Sequence, residues 1–399
     1  MKLKKVISTV LRLIPQFFDM IITKVKSIYS PLSKKYEGAW LISERGTEAK
    51  DNGYVFFKYM RENHPEIDAY YVIDSSYTND YNKVKYLGNI IEYKSLEHKI
   101  AFLKCKYAIS THIGHLEPWA YKLYKIILDR KNKTKFVLLQ HGVINHDLSD
   151  IFGKKATKLD LFITSTQKEY ESIAYSESYG YREDEVAKTG LARFDLLSNF
   201  KTKNQILLMP TWRSNIVNPS YKKEKTLPDS VFYNSEYFKR YNSLINNEKV
   251  AKLLRENNYE MIFYPHYEIQ QYIQYFNTKH DDVVKIAKKE DYDVQTLLKE
   301  SKLLITDYSS VFFDFGYMKK PILYYHFDEG HYKVGYFSYR DNGFGKILSE
   351  ESTLVDAIED NFENNFIIEE FYRKRVDESF GKIDNKNCER IYKSIINIK

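Results

Sequence analysis

The 399-residue chain has only two cysteines, Cys105 and Cys388, far apart in sequence. That excludes a disulfide framework and the clustered spacing of a zinc site, and it fits a reducing compartment. No stretch reaches the roughly 18 charge-free apolar residues that a spanning helix needs. The N-terminus lacks a small-residue cleavage site, and Arg12 and Asp19 interrupt its apolar run, which argues against a secretory signal. There is no Walker loop, no G-x-G-x-x-G and no H-E-x-x-H, so a phosphate site here is not of the P-loop type. Internal repeats and long low-complexity tracts are also missing. What is present is a 43% hydrophobic composition, enough for real cores, in a length that suggests two domains.

Charge is unevenly placed. Residues 1–36 hold eight lysines and arginines against the single acid Asp19, which accounts for the whole net charge of +7. The remaining chain is balanced and is not a nucleic-acid binder by composition. In the same segment Leu3, Val6, Ile7, Val10, Leu11, Ile14, Phe17, Phe18, Ile21, Ile22 and Val25 recur at spacings of three and four. This is an amphipathic helical stripe. Flanked by Lys2, Lys4, Lys5, Lys24, Lys26, Lys34 and Lys35, it reads as an interfacial helix on an anionic membrane surface. Packing on the protein's own body is the alternative. Pro15 is expected to kink or split the helix.

From residue 38 short apolar runs alternate with helical stretches. Strands are predicted at Ala39–Ser43, Ala69–Ile73, Ile90–Tyr93, Tyr107–Ser110, Phe136–Leu139 and Leu161–Thr164, and a second series at Ile206–Met209, Glu260–Tyr264, Val283–Ile286, Leu303–Thr306 and Ile322–Tyr325. Strand and helix in alternation give parallel sheets with both faces covered. The expected architecture is α/β, with two Rossmann-like doubly wound domains and a cleft between them. The domains are placed at 37–200 and 201–399, after the basic segment 1–36, and the last helices can pack back on the first domain. Residues 214–236, rich in Asn, Ser, Lys and Pro, read as a mobile loop.

Ligands of such sheets bind outside the carboxyl ends of the strands. Four segments place polar groups there: Gln140-His141-Gly142, Pro210-Thr211-Trp212-Arg213, Pro265-His266 and Asp307-Tyr308-Ser309-Ser310. Ser309 and Ser310 precede the helical run 311–318, where free N–H groups and the helix dipole favour a phosphate; a plain N-cap role is the alternative. His141 is followed by Gly142, which allows close approach of a ligand, and a neutral imidazole there can take a proton from a hydroxyl. His266 can donate to an anionic oxygen, and Arg213 can clamp a phosphate or form an ordinary ion pair. His112 and His115 read as structural or cleft-lining, not as metal ligands, and no metal site is expected.

Together, QHG, PTWR, YPH and ITDYSSVFFDF (305–315), with GLARFDLL (190–197), resemble the CDP-glycerol glycerophosphotransferase family of teichoic-acid and capsule enzymes, over about Trp40 to Tyr332. The resemblance implies a GT-B fold and a peripheral enzyme on the cytoplasmic face of the bacterial membrane. It implies transfer of a polyol phosphate from CDP-glycerol or CDP-ribitol to a lipid-linked glycan or polymer acceptor, releasing CMP, with no tightly bound cofactor. His141 matches the family's proposed base, His266 its second-domain histidine near the donor phosphates, and Ser309 and Ser310 its donor-phosphate loop. Arg213 and Asp307 are expected beside the donor phosphate; Gln140, Gly142, His112 and Asp314 are expected on the acceptor side or lining the cleft. Family polymerases commonly show WHGT followed closely by lysine. Here Gln140 and Val143 replace the tryptophan and threonine, and no lysine follows nearby. Two other readings stand beside this one: a GT-B glycosyltransferase using a nucleotide sugar, and a non-catalytic scaffold of a glycan-assembly complex.

Overall fold

The computed structural model describes residues 2–217, 228–329 and 335–399, with side chains from residue 11 onward. Among the described residues thirteen strands form two sheets in which every pairing is parallel. The first holds β1 (Trp40–Ser43), β2 (Ala69–Ile73), β3 (Ile90–Glu92), β4 (Tyr107–Ser110), β5 (Lys135–Leu138), β6 (Leu161–Thr164) and β7 (Val186–Lys188), in the order β3-β2-β1-β4-β5-β6-β7. The second holds β8 (Gln205–Leu208), β9 (Glu260–Phe263), β10 (Val284–Ile286), β11 (Leu303–Thr306), β12 (Ile322–Tyr325) and β13 (Gly345–Leu348), in the order β10-β9-β8-β11-β12-β13. Each sheet is doubly wound, and strand order reverses between β1 and β4 in one and between β8 and β11 in the other. The central strands β1, β4, β8 and β11 are buried at every position, as sheets covered by helices on both faces require.

The chain divides into two compact units. One comprises Met1–Val143, Leu148–Asp195 and Asp384–Lys399; the other comprises Ile144–Asp147 and Leu196–Ile383. In the first, Ile42, Phe56, Phe57, Tyr71, Ile109 and Ile163 build a core against helix α2 (Asn52–Asn63), completed by Cys388, Ile391 and Ile395 of the C-terminal helix. That helix is anchored by the carboxylate of Asp195. One oxygen accepts from the backbone N–H and the side-chain amide of Asn387, each at 2.7 Å, and the other from the N–H of Cys388 at 2.8 Å. Gly190 makes this approach possible: its φ is +83°, and a Cβ there would stand 1.9 Å from Asn387 Oδ1. In the second unit Ile206, Leu208, Tyr241, Met261, Phe263, Ile305 and Tyr325 share one core.

Helix α1 (Lys2–Tyr29) runs through Pro15 as one helix, so the expected split does not occur. It lies on the body of its unit by its polar side. Met20, Thr23 and Ser27 are buried. Gln16 Oε1 accepts from the Ala120 N–H at 2.7 Å. Asp19 accepts from Lys99 Nζ at 2.9 Å and Trp119 Nε1 at 2.7 Å. Leu11, Phe18, Ile22, Val25 and Ile28 are each more than half exposed. The helix thus packs on the body, the alternative named above, while these apolar side chains stay exposed.

Two strands escaped the periodicity reading, β7 (VAK) and β13 (GKIL). Both are short edge strands with exposed positions and no continuous apolar run. Of the loop expected over 214–236, residues 218–227 lie outside the described residues, as does Tyr332 where the resemblance ends, while Asp229–Tyr233 is a short helix.

Candidate functional site

In the first unit the polar groups gather past the carboxyl ends of β1, β4 and β5. Gln140 and His141 follow β5. The backbone of this turn is left-handed at Gln140, with φ at 65°, rather than at the glycine. Such a conformation is strained for a side-chain-bearing residue and persists only when its surroundings enforce it. They do. Asn52, fully buried at the start of α2, donates from Nδ2 to the Gln140 carbonyl at 2.7 Å, and its Oδ1 accepts from the Arg193 N–H at 2.9 Å. Arg193 Nη1 then donates to the His141 carbonyl at 2.7 Å and to Asp51 Oδ1 at 2.7 Å. Both carbonyls of the turn are therefore pinned by side chains from distant parts of the chain. The Gln140 side chain is itself fully buried, with both amide atoms lacking a hydrogen-bond partner among the described residues.

The His141 ring reaches solvent and stacks on His112, with centroids 4.7 Å apart and planes at 15°. Surrounding protein strips water from around the imidazole and lowers its pKa below 6.5; Asp51 opposes the shift, and Arg193 and Arg45 add to it. His112 is held lower still, to about 2, chiefly by burial and then by His141 and Arg45. Its Nε2 accepts from Arg45 Nε at 3.2 Å, so the ring proton sits on Nδ1, where it donates to Thr111 Oγ1 at 2.8 Å. His112 thus lines the site as a neutral ring. His115 is 5.7 Å from it, centroid to centroid. Among the described residues no group of three His, Cys, Asp or Glu side chains is gathered to hold a metal ion.

In the second unit the strand ends β8, β9, β11 and β12 are tied together. The His266 N–H donates to the Pro210 carbonyl at 3.0 Å, and the Thr211 N–H donates to Asp307 Oδ1 at 2.8 Å. His266 Nδ1 accepts from the Glu268 N–H at 3.2 Å, which places the proton of the neutral ring on Nε2. Burial pushes its pKa to about 4 against the pull of Glu268 and Asp307. At neutral pH His266 is a donor without charge. Ser309 and Ser310 are half-buried at the start of the helix Val311–Tyr317. Ser310 occupies the N-cap position, yet its hydroxyl makes no capping bond.

Arg213, Asp307 and Asp314 take different places from those expected. Asp307 is fully buried and receives Thr211 N–H, Tyr308 N–H, the Tyr241 hydroxyl and Arg213. The Arg213 guanidinium is also buried, 2.8 Å from Asp307 and 2.9 Å from Asp328. Both side chains are buried, and through Thr211, Tyr308 and Asp328 they tie the loop that carries the serines to the ends of β8 and β12. Asp314 is buried against Gln295, which donates to it at 3.4 Å, and does not line a cleft. Sequence reasoning missed His326 at the end of β12. Its Nε2 donates to the Asp307 carbonyl at 3.2 Å, and its ring stacks on Tyr308 at 4.2 Å. Its position after a strand was the available signal.

The family model for CDP-Glycerol:Poly(glycerophosphate) glycerophosphotransferase matches residues 24–397. The chain belongs to this family. Among the relatives of this chain is the minor teichoic acid biosynthesis protein GgaB of Bacillus subtilis, 37% identical over 363 residues. That match covers 90% of this chain and 40% of GgaB. A teichoic acid glycerol-phosphate transferase of Staphylococcus aureus is 25% identical over 302 residues, covering 71% and 72%. The chain therefore spans less than half of GgaB and about three-quarters of the staphylococcal relative. The wall teichoic acid polymerase TagF has the same fold, with a TM-score of 0.67 at 18% identity, covering 99% of this chain and 96% of the other. A UDP-GlcNAc 2-epimerase of Neisseria meningitidis shares the fold more distantly, with a TM-score of 0.53, 11% identity and coverage of 89% and 99%. In this member of the family, GLARFDLL now has a structural account: Gly190 and Asp195 seat the C-terminal helix, and Arg193 fixes the histidine turn.

Proposed function

We propose that this chain transfers a polyol phosphate from CDP-glycerol or CDP-ribitol to a hydroxyl of a cell-surface glycan or teichoic-acid-like acceptor, releasing CMP. The observation that carries this reading is the neutral, solvent-reaching His141, held on a strained turn by Asn52 and Arg193 in a chain of the glycerophosphotransferase family. A neutral imidazole is the required state for a general base. The acceptor oxygen attacks the β-phosphorus of the donor as His141 takes its proton. The new bond is acceptor oxygen to phosphorus, the bond broken is the bridge between the two phosphates, and CMP departs with the bonding electrons. His266 donates from Nε2 to the diphosphate, and the Ser309 and Ser310 hydroxyls bind it, stabilising charge that grows on the phosphate oxygens. Arg213 and Asp307 hold that loop in place.

Helix α1 supports a peripheral position on the cytoplasmic face of the membrane. Its outward apolar stripe lies in a segment carrying all of the net positive charge, a combination suited to anionic lipid. Among the described residues no helix is long and apolar enough to cross a membrane. Co-sedimentation with anionic vesicles should fall when Phe18 and Ile22 are both changed to glutamate; unchanged binding would reject the stripe as the contact.

A panel of CDP-glycerol, CDP-ribitol and nucleotide sugars, with a glycan acceptor and product analysis, tests the transfer. CMP release with CDP-polyol alone is expected. Sugar transfer from a nucleotide sugar would replace this reading with that of a glycosyltransferase.

A further inference from the structure

Arg45 has no part in the mechanism above, yet it stands where the first sheet is open to ligands. It follows β1 directly after Glu44, at the reversal between β1 and β4, opposite the residues that follow β4. Crevices at such reversals are where doubly wound sheets bind ligands. The loop that carries it is rigid. Glu44 is fully buried and accepts from the N–H groups of Lys50, Asp51 and Tyr54 at 2.8–3.0 Å. Gly46 has φ +71° and lies so close to the Tyr93 ring that a Cβ would meet it at 2.9 Å.

The partner of Arg45 is unusual for an arginine. Its Nε is directed onto a neutral imidazole, His112 Nε2, and not onto a carboxylate. The acid beside it, Glu48, is 3.7 Å from Nη1 and is shared with Lys50 at 3.3 Å. Half of the Arg45 side chain remains exposed. The guanidinium is thereby oriented and only partly neutralised, one stacked ring away from His141. A cation so close to a general base works against that base unless something negative binds alongside. The fork of N–H groups left over matches two oxygens of a phosphate.

We propose that Arg45 is an anion subsite of the acceptor half, which binds the phosphodiester of an acceptor already carrying polyol phosphate and so brings that chain's terminal hydroxyl to His141. This rests on the transfer reading and deepens it by naming the residue of this chain that selects an acceptor of the poly(glycerophosphate) kind in the family's description over a neutral glycan.

The test compares Arg45→Gln and Arg45→Lys with the parent full-length chain, using CDP-glycerol and two acceptors that differ only in a terminal glycerol phosphate. For the phosphate-bearing acceptor, KM should rise about tenfold or more in Arg45→Gln, as loss of a charge-assisted contact implies, with kcat changed far less. The donor KM should stay put, and Arg45→Lys should recover part of the loss. An equal effect on both acceptors, or an unchanged KM for the phosphate-bearing one, would overturn the subsite. Direct binding of a short poly(glycerol phosphate) oligomer, measured calorimetrically, separates the two readings. If the parent chain transfers nothing from CDP-polyols yet binds the oligomer through Arg45, the transfer reading fails and the subsite stands. If Arg45→Gln binds the oligomer as tightly as the parent, the subsite fails whatever the turnover.

Discussion

Replacing Asn52 by alanine probes the support of the His141 turn and, with it, the proposed role of His141 as the base. Asn52 is fully buried and bonds the Gln140 carbonyl at 2.7 Å and the Arg193 N–H at 2.9 Å. Alanine leaves both groups without their partner inside the protein. Each orphaned buried group costs about 1–3 kcal/mol, and water entering the vacated space softens this, so about 2–4 kcal/mol of stability should be lost. The urea midpoint should fall by the corresponding amount at constant slope. Released from the Asn52 bond, the Gln140 backbone can relax from φ 65°, and His141 moves with it although Arg193 still holds its carbonyl. A displacement near 1 Å can cost roughly 100-fold in rate, so kcat should drop about 10–100-fold in protein that is still folded, with the donor KM little changed. Asn52→Asp separates geometry from space-filling. It keeps the acceptor for Arg193 but sets a carboxylate oxygen against the Gln140 carbonyl, and it should not restore activity. Parent-like stability and kcat in Asn52→Ala, or full activity in Asn52→Asp, would refute the reasoning.

His141→Ala should lose about 10²–10⁴-fold in turnover with donor affinity retained, measured by CMP release and by equilibrium binding of CDP-glycerol; near-parent turnover would remove His141 as the base. Arg213→Ala leaves Asp307 and Asp328 facing each other, Asp307 fully buried, and should destabilise the second unit by about 3–5 kcal/mol in a denaturant titration. The acid limb of kcat/KM should reflect His141. Its folded pKa is depressed below 6.5, so the base stays unprotonated and active as pH falls through 6.5, and the rate is lost only at lower pH. Of the charged and titratable groups acting on it, Asp51 and Glu48 hold that limb up, while Arg193 and Arg45 push it down, so Arg45→Gln should move it to higher pH.

The strands that build both sheets were legible because central parallel strands are continuous apolar runs. The edges β7 and β13 were not, because a short strand with exposed positions carries no such run. His141 and His266 were found by a positional rule, the polar residue just past a strand. The partners that give them geometry could not be found that way. Arg193 lies 141 residues from the Asn52 side chain it binds, and Thr211 lies 96 from Asp307. Residue type alone made Arg213 and Asp307 look like ligand contacts; their mutual pairing and burial could not be read from the sequence. The helix α1 was legible in its spacing, but which side faced the protein depended on Gln16 and Asp19 meeting Ala120, Lys99 and Trp119.

The most direct test follows one phosphorus atom. CDP-glycerol labelled with ³²P at the phosphate next to glycerol is incubated with the chain and a polymer acceptor, and the products are separated. Attack on that phosphorus with loss of CMP puts the label into the acceptor and leaves the nucleotide unlabelled. Label recovered in CDP, with none in the acceptor, would contradict polyol-phosphate transfer.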